Sequence, residues 1–233
     1  MLNRTCLPSD VIAFVVFCRL RYRLTLRDLS EIMALRGIEV SHEAVRDWET
    51  KLLPVMGGDL RKRRHGWRRG SGASWHVDET YLKVRGRWCY LYRAIDRDGS
   101  LIDAMLSEHR DMQAAKAFFR SARAAMGLWP ERVTTDGHGS CPIHTVLGKA
   151  VRHRTSACLD NRLGQDHRDI KGRIRWLRGF KSREAADRFC REHGELRDLL
   201  RPRRRHNHAV SAASRRACFA KATRIAPDIM QNA

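Results

Sequence analysis

Asp78, in WHVDET (75–80), and Asp136, in VTTDG (133–137), stand 58 positions apart and each belongs to a short stretch of strand-like composition. Two carboxylates held together supply the hard oxygen ligands that Mg2+ takes. A pair of such ions activates an attacking hydroxyl and stabilises a leaving oxygen in phosphodiester chemistry. An isolated aspartate at a strand end more often makes a turn or a surface pair, so this chemistry requires a fold in which the two strands are neighbours. Gly137 lets backbone or substrate approach the second aspartate closely. A second cluster, Cys141 and His144 with His153 and Cys158, has zinc-ligating residue types in a spacing that matches no common zinc module. The seven cysteines contain no Cys-x-x-Cys pair and read as reduced packing residues.

The elements that must position the aspartates follow a definite order. Trp75–Val84 has strand composition, Arg85-Gly86-Arg87 turns, Trp88–Ile95 is a second strand, Asp98-Gly99 turns again, and Leu101–Leu106 is a third. Asp111 caps an alanine-rich helix that runs through Met126 and closes at Gly127, after which Arg132–Asp136 is a short strand. A helix near Ile143–Lys149, a strand at Val151–Arg154 and a helix over NRLGQDHRDIKGR (161–173) complete the order β-β-β-α-β-α-β-α. That order predicts an α/β, ribonuclease H-like domain, a mixed five-stranded sheet with flanking helices, in which the first and fourth strands lie side by side. Within the last helix Gly164 costs about 1 kcal/mol relative to alanine, while His167 and Lys171 border its face and are candidates to contact DNA phosphate.

Residues 9–53 read as three helices. Ser9 caps the first, with Ile12, Val15 and Val16 on its apolar side; Thr25 and Asp28 form a capping box for the second, which Gly37 ends. Ser41 caps a third helix over 41–51 with Val45, Trp48 and Leu52 on one face, and Pro54 is expected to stop it. Helix, glycine-containing turn, helix is helix-turn-helix spacing, so Ser41, His42 and Arg46 are the candidates to read a DNA groove. The run Arg61, Lys62, Arg63, Arg64 continues to Arg68 and Arg69 and reads as a linker lying along phosphates. The expected division is a helix-turn-helix domain over 1–56, a basic linker over 57–73, a catalytic domain over 74–200 and a basic tail over 201–233. Forty-six Lys and Arg against 26 Asp and Glu give a net charge of +20, which implies a polyanionic partner, with nucleic acid the first choice. The longest apolar run, Val11–Cys18, is too short to span a bilayer and lacks a cleavage site, so a cytoplasmic protein with no membrane partner is expected.

The stretches LTLRDLSEIMALRGIEVSHEAVRDWE, WHVDETYLKVRGRWCYLYRAIDRDG, VTTDGHGS, NRLGQDHRDIKGR and RGFKS resemble the DDE transposases of bacterial insertion sequences, in particular the IS6 group. The resemblance implies an enzyme that cuts and joins DNA, with three acids holding Mg2+, or Mn2+ in its place. Its partners would be double-stranded DNA, both transposon terminal repeats and target, and it would act as a homodimer or higher oligomer at the nucleoid. Asp78 matches the first acid and Asp136 the second. In the family a glutamate stands just before Gln-Asp-His-Arg, and here that position is Gly164. Cys158 and Asp160 depart from the family nearby; Asp160 lies four residues before the glycine on nearly the same helix face but about 6 Å along the axis. The expected activity is therefore metal-dependent strand cleavage and transfer impaired by the missing acid. The alternative is an inactive DNA-binding derivative that acts as repressor or inhibitor at transposon ends. A general ribonuclease H-like nuclease leaves the helix-turn-helix without a use, and a structural RNA-binding protein leaves the two aspartates without one.

Overall fold

The computed structural model describes residues 7–22, 24–64, 74–97, 99–135, 147–148, 150–155, 167–168, 170–174, 180–201 and 209–231. In chain order the elements are α1 (Ser9–Tyr22), α2 (Leu26–Ala34), α3 (His42–Arg64), β1 (Ser74–Val84), β2 (Arg87–Asp96), β3 (Leu101–Ser107), α4 (Met112–Met126), β4 (Arg132–Thr135), β5 (Arg152–Thr155), α5 (Arg183–Leu200) and α6 (Ala212–Gln231). They fall into two units, residues 1–60 with 195–233 and residues 61–194.

The first unit is helical. Thr25 and Asp28 cap α2 reciprocally: the Thr25 hydroxyl accepts from the Asp28 N–H at 3.1 Å and the Asp28 carboxylate from the Thr25 N–H at 2.7 Å. Gly37 takes the left-handed conformation (φ 73°), and the Ser30 hydroxyl donates to the Val40 carbonyl, tying α2 to the turn that precedes α3. Arg19 joins α1 to α3 through Glu49, Nε to Oε2 at 2.5 Å, in a half-buried pair. Helix α1 is buried around most of its circumference, at Ile12, Ala13, Val15, Val16, Phe17, Cys18 and Leu20, which a single apolar stripe would not require. The cause is α6: Phe219 meets Phe14 and Phe17 edge to face, with centroids 6.0 and 6.5 Å apart, and Ala222 and Ala226 are fully buried beside it.

The sequence expectations need three corrections here. Residues 212–231, read as tail, form α6, whose Phe219, Ala222, Ile225 and Ala226 recur at helical spacing and belong to the α1 core. Pro54 does not end α3, which continues to Arg64. A helix-interior proline costs about 3 kcal/mol, and the buried Leu52, Leu53 and Met56 around it outweigh that. The start of the expected linker is thus helix, and Arg61 on it is not free for phosphate: its guanidinium pairs with Asp103, whose side chain is fully buried, and donates to the Ser121 hydroxyl at 3.0 Å.

The second unit is a five-stranded sheet in the order β3-β2-β1-β4-β5. Strands β1, β2 and β3 form an antiparallel meander, and β4 is parallel to both β1 and β5, which is the ribonuclease H-like arrangement. The Arg85-Gly86 turn has positive φ at both residues (50° and 82°), the two-residue hairpin turn whose twist matches its strands. Asp111 caps α4 through the Ala114 N–H at 2.8 Å, and Gly127 ends it in the left-handed conformation, as its sequence expects. Alternation along β1 divides two cores. Trp75 and Val77 face α4 with Phe118, Phe119, Ala122 and Met126, whereas Leu82 and Val84 face Ile170, Ala186 and Cys190. Gly194 on α5 lies where a Cβ would come within 3.0 Å of the Leu101 side chain, so its lack of a side chain permits the close approach of helix and strand. The expected helix near Ile143–Lys149 lies mostly outside the described residues; the last strand is observed at Arg152–Thr155.

Several acids are interior. Asp96, Asp103, Glu192 and Glu195 are each under 9% exposed. Arg61→Ala should leave Asp103 buried without its cation and cost about 3 kcal/mol, read as a lower urea midpoint, while Lys62→Ala, at an exposed neighbour, stays within about 0.5 kcal/mol. For Glu192, burial pushes the carboxyl up to about 7, against the pull of Arg188 and Arg191 and with Asp187 adding to the rise. A folded-state value above the ordinary 4.5 means that folding favours the protonated form. Its contribution is then complete below that value and is lost as pH rises through about 7. Glu192→Gln should remove this decline and raise Tm above that of the parent at about pH 8; parallel pH profiles of Tm for the two proteins would exclude it.

Candidate active site

Asp78 sits in the middle of β1, on the face it shares with Leu82 and Val84. One carboxylate oxygen, Oδ1, accepts from the Glu79 N–H at 2.7 Å. The other, Oδ2, lies 3.3 Å from Nδ1 of His167. Both side chains are largely enclosed, 14% exposed for Asp78 and 8% for His167, and Nε2 of the histidine meets no hydrogen-bond partner among the described residues. Across the ladder Asp78 is the direct partner of Arg93, which is 1% exposed. Directly opposed residues of an antiparallel pair share a face with Cβ atoms about 5 Å apart, so a buried cation accompanies the carboxylate.

The helical residues that carry His167 reach β1 at three places. His167 faces Asp78, Ile170 is buried in the cluster of Leu82 and Val84, and Nζ of Lys171 lies 4.5 Å from the centre of the Tyr81 ring. The sequence expects His167 at a DNA phosphate; it is instead buried against Asp78, because the apolar Ile170 three residues on turns the same helix face towards the sheet. Lys171 is exposed.

Parallel pairing of β1 with β4 joins Ser74 to Arg132, Trp75 to Val133 and His76 to Thr134. Each pair differs by 58 in number, which is also the separation of Asp78 and Asp136. Asp136 itself, with Gly164, Asp160, Arg68 and Arg69, lies outside the described residues. Among the described residues no group of three or more His, Cys, Asp or Glu is placed to hold a metal ion. Of the suggested zinc cluster only His153 is described, and its Nε2 is 2.9 Å from the Thr135 hydroxyl. Asp78 contributes hard, partly accessible carboxylate oxygens, the donor type that suits Mg2+.

In the helical unit Arg46 is exposed on the side of α3 away from the buried Val45 and Trp48. The Ser41 hydroxyl caps α3 by accepting from the Ala44 N–H at 3.1 Å, and His42 Nε2 is 2.7 Å from Glu43 Oε1. Lys62 and Arg63 are exposed and Arg64 closes the helix. Sequence reasoning missed Arg93; the signal for it was an arginine flanked by the apolar Leu91, Tyr92, Ala94 and Ile95 of β2.

The DDE domain family of IS240-type transposases matches residues 72–217. The chain is 37% identical over 173 residues to the transposase for insertion sequence-like element IS431mec of Staphylococcus aureus (strain N315), covering 71% of this chain and 74% of that one. The transposase for insertion sequence element IS257 in transposon Tn4003 of Staphylococcus aureus matches with the same identity and coverage. Among solved structures, the HTLV-2 integrase catalytic core domain in complex with magnesium is similar with a TM-score of 0.41 at 12% identity, over 62% of this chain and 92% of that one. No helix among the described residues is long and apolar enough to cross a membrane.

His167→Ala removes a buried partner of Asp78 and the packing around it. The variant should lose about 1–3 kcal/mol of stability and keep the parent's affinity for DNA and its salt dependence. A phosphate contact at this position would instead lower the slope of log affinity against log salt by about one, which salt titrations of the two proteins resolve.

Proposed function

The chain belongs to the DDE transposases of IS6-group insertion sequences, and from that membership we propose how its residues divide the work of moving DNA. Helix α2, the turn and α3 bind the transposon terminal repeat, with Arg46 and His42 at base edges, Ser41 fixing the helix start, and Lys62, Arg63, Arg64, Arg68 and Arg69 along phosphates. Lys171 meets a phosphate of the reacting strand. Asp78 and Asp136 hold a divalent ion, Mg2+ or Mn2+ in its place. The observation that carries this reading is the β1–β4 register, whose offset of 58 equals the separation of the two aspartates.

Bound there, the ion supplies Lewis-acid stabilisation of charge on the scissile phosphate. The chain's own contribution at that point is orientation: the Glu79 N–H and the His167 ring hold the Asp78 carboxylate from two sides, and the buried Arg93 stands opposite it across the ladder. Two DNA ends must be joined in one complex, so the working form is a homodimer or higher oligomer on DNA in the bacterial cytoplasm, at the nucleoid.

Gly164 stands where the family has its third acid, so this copy binds transposon ends and transfers strands slowly. The same glycine favours the second reading, a DNA-binding derivative that occupies ends as a repressor or inhibitor. Strand-transfer assays on terminal-repeat DNA in Mg2+ separate the two. Gly164→Glu should cleave and join DNA faster than the natural chain by orders of magnitude, at unchanged end affinity. A natural chain as active as the variant would mean that Asp160 or another acid completes the site, and a variant that binds ends without cutting them would favour the inhibitor.

A further inference from the structure

The β1–β2 hairpin holds two aromatic rings out in solvent. Tyr81 is 56% and Trp88 54% exposed, and they are the exposed large hydrophobic side chains among the described residues of 61–194. The rings meet edge to face, with centroids 5.1 Å apart and planes at 85°. Cations surround them. Nζ of Lys83, the cross-strand partner of Trp88, lies 5.4 Å from the Trp88 ring centre, and Nζ of Lys171 lies 4.5 Å from that of Tyr81. Arg85 and Arg87, both exposed, flank the glycine of the turn. A two-residue turn between paired strands fixes this ridge without a long flexible loop, and Tyr81 lies three residues along β1 from Asp78, about 10 Å.

We propose that Tyr81 and Trp88 form a stacking platform for an unpaired nucleotide of a DNA strand whose phosphates meet Lys83, Arg85, Arg87 and Lys171. Charge selects this occupant over a second copy of the chain, since two such ridges brought together would oppose four cations to four in a protein of net charge +20. An aromatic face among cations suits a nucleobase and its backbone together, and because every base has a π-face the platform tolerates any sequence. Duplex bases are stacked on one another and cannot use it. The platform therefore acts on single-stranded extensions at a cut end or a distorted target. This rests on the reading of the chain as a DNA strand-transfer protein and deepens it at the hairpin end of β1, where alternation puts Tyr81 on the sheet face opposite Asp78.

The test compares the full chain on a blunt duplex and on the same duplex with an unpaired 3′ extension containing 2-aminopurine. The natural chain should bind the extended duplex more tightly and quench the 2-aminopurine. Trp88→Ala and Tyr81→Ala should each lose about tenfold in affinity for the extended duplex, lose the quench, and leave blunt-duplex affinity and Tm unchanged, while Trp88→Phe and Tyr81→Phe keep most of both. Equal losses on the two DNAs, or unchanged DNA affinities with loss of self-association in sedimentation, would overturn the platform. Failure of the natural chain to bind either DNA would instead overturn the DNA reading on which it rests.

Discussion

Pairing of β1 with β4 is the constraint on which the rest of the catalytic unit depends. It is the junction between the antiparallel meander and the parallel half of the sheet, made among the described residues through Ser74, Trp75 and His76. A parallel connection needs a crossover, and α4 provides it, so the meander, α4 and β4 are fixed together or not at all. Trp75, fully buried between the sheet and α4, anchors that junction from its side chain as the ladder does from its backbone. A slip of one residue would turn Trp75 and Val77 out of their core and Asp78 into it. The burial that sets the register thus also fixes the face on which the aspartate stands.

Local chemistry was the most legible part of this chain. The capping box of Thr25 and Asp28, the left-handed glycines 37, 86 and 127, and the alternation of β1 each act within a few residues, and each element stands close to where its signals put it. Where tertiary packing overrides a local preference, the sequence misleads. Pro54 reads as a stop until Leu52, Leu53 and Met56 are seen to be buried around it. An arginine run reads as linker until Arg61 is found opposite Asp103, 42 residues away. Helix α6 is disguised by its exposed arginines, Arg215, Arg216 and Arg224.

The site shows the same division. Asp78 is a candidate from its strand alone, and the β1–β4 register supports the proposal that Asp136 joins it. His167 could be picked only for another role, contact with a DNA phosphate, and Arg93 is passed over although the apolar residues on either side of it in β2 signal burial. Both acquire meaning only through the cross-strand partnership with Asp78 and the seating of Ile170 in the core. The surroundings of Asp78 are thus set by neighbours distant in the chain.

The burial of acids has a consequence for the molecule as a polyelectrolyte. Asp96, Asp103, Glu192 and Glu195 are withdrawn from the surface, whereas exposed lysines and arginines line α3, the β1–β2 hairpin and α6. The surface of each unit is therefore strongly basic, and self-repulsion works against the folded state. A nucleic acid relieves that repulsion as a counterion would, so binding and folding become thermodynamically linked. A copy released from DNA is the less stable form, and is the one exposed to chaperones and proteases. Occupancy of DNA thus adds to the free energy that keeps each unit folded.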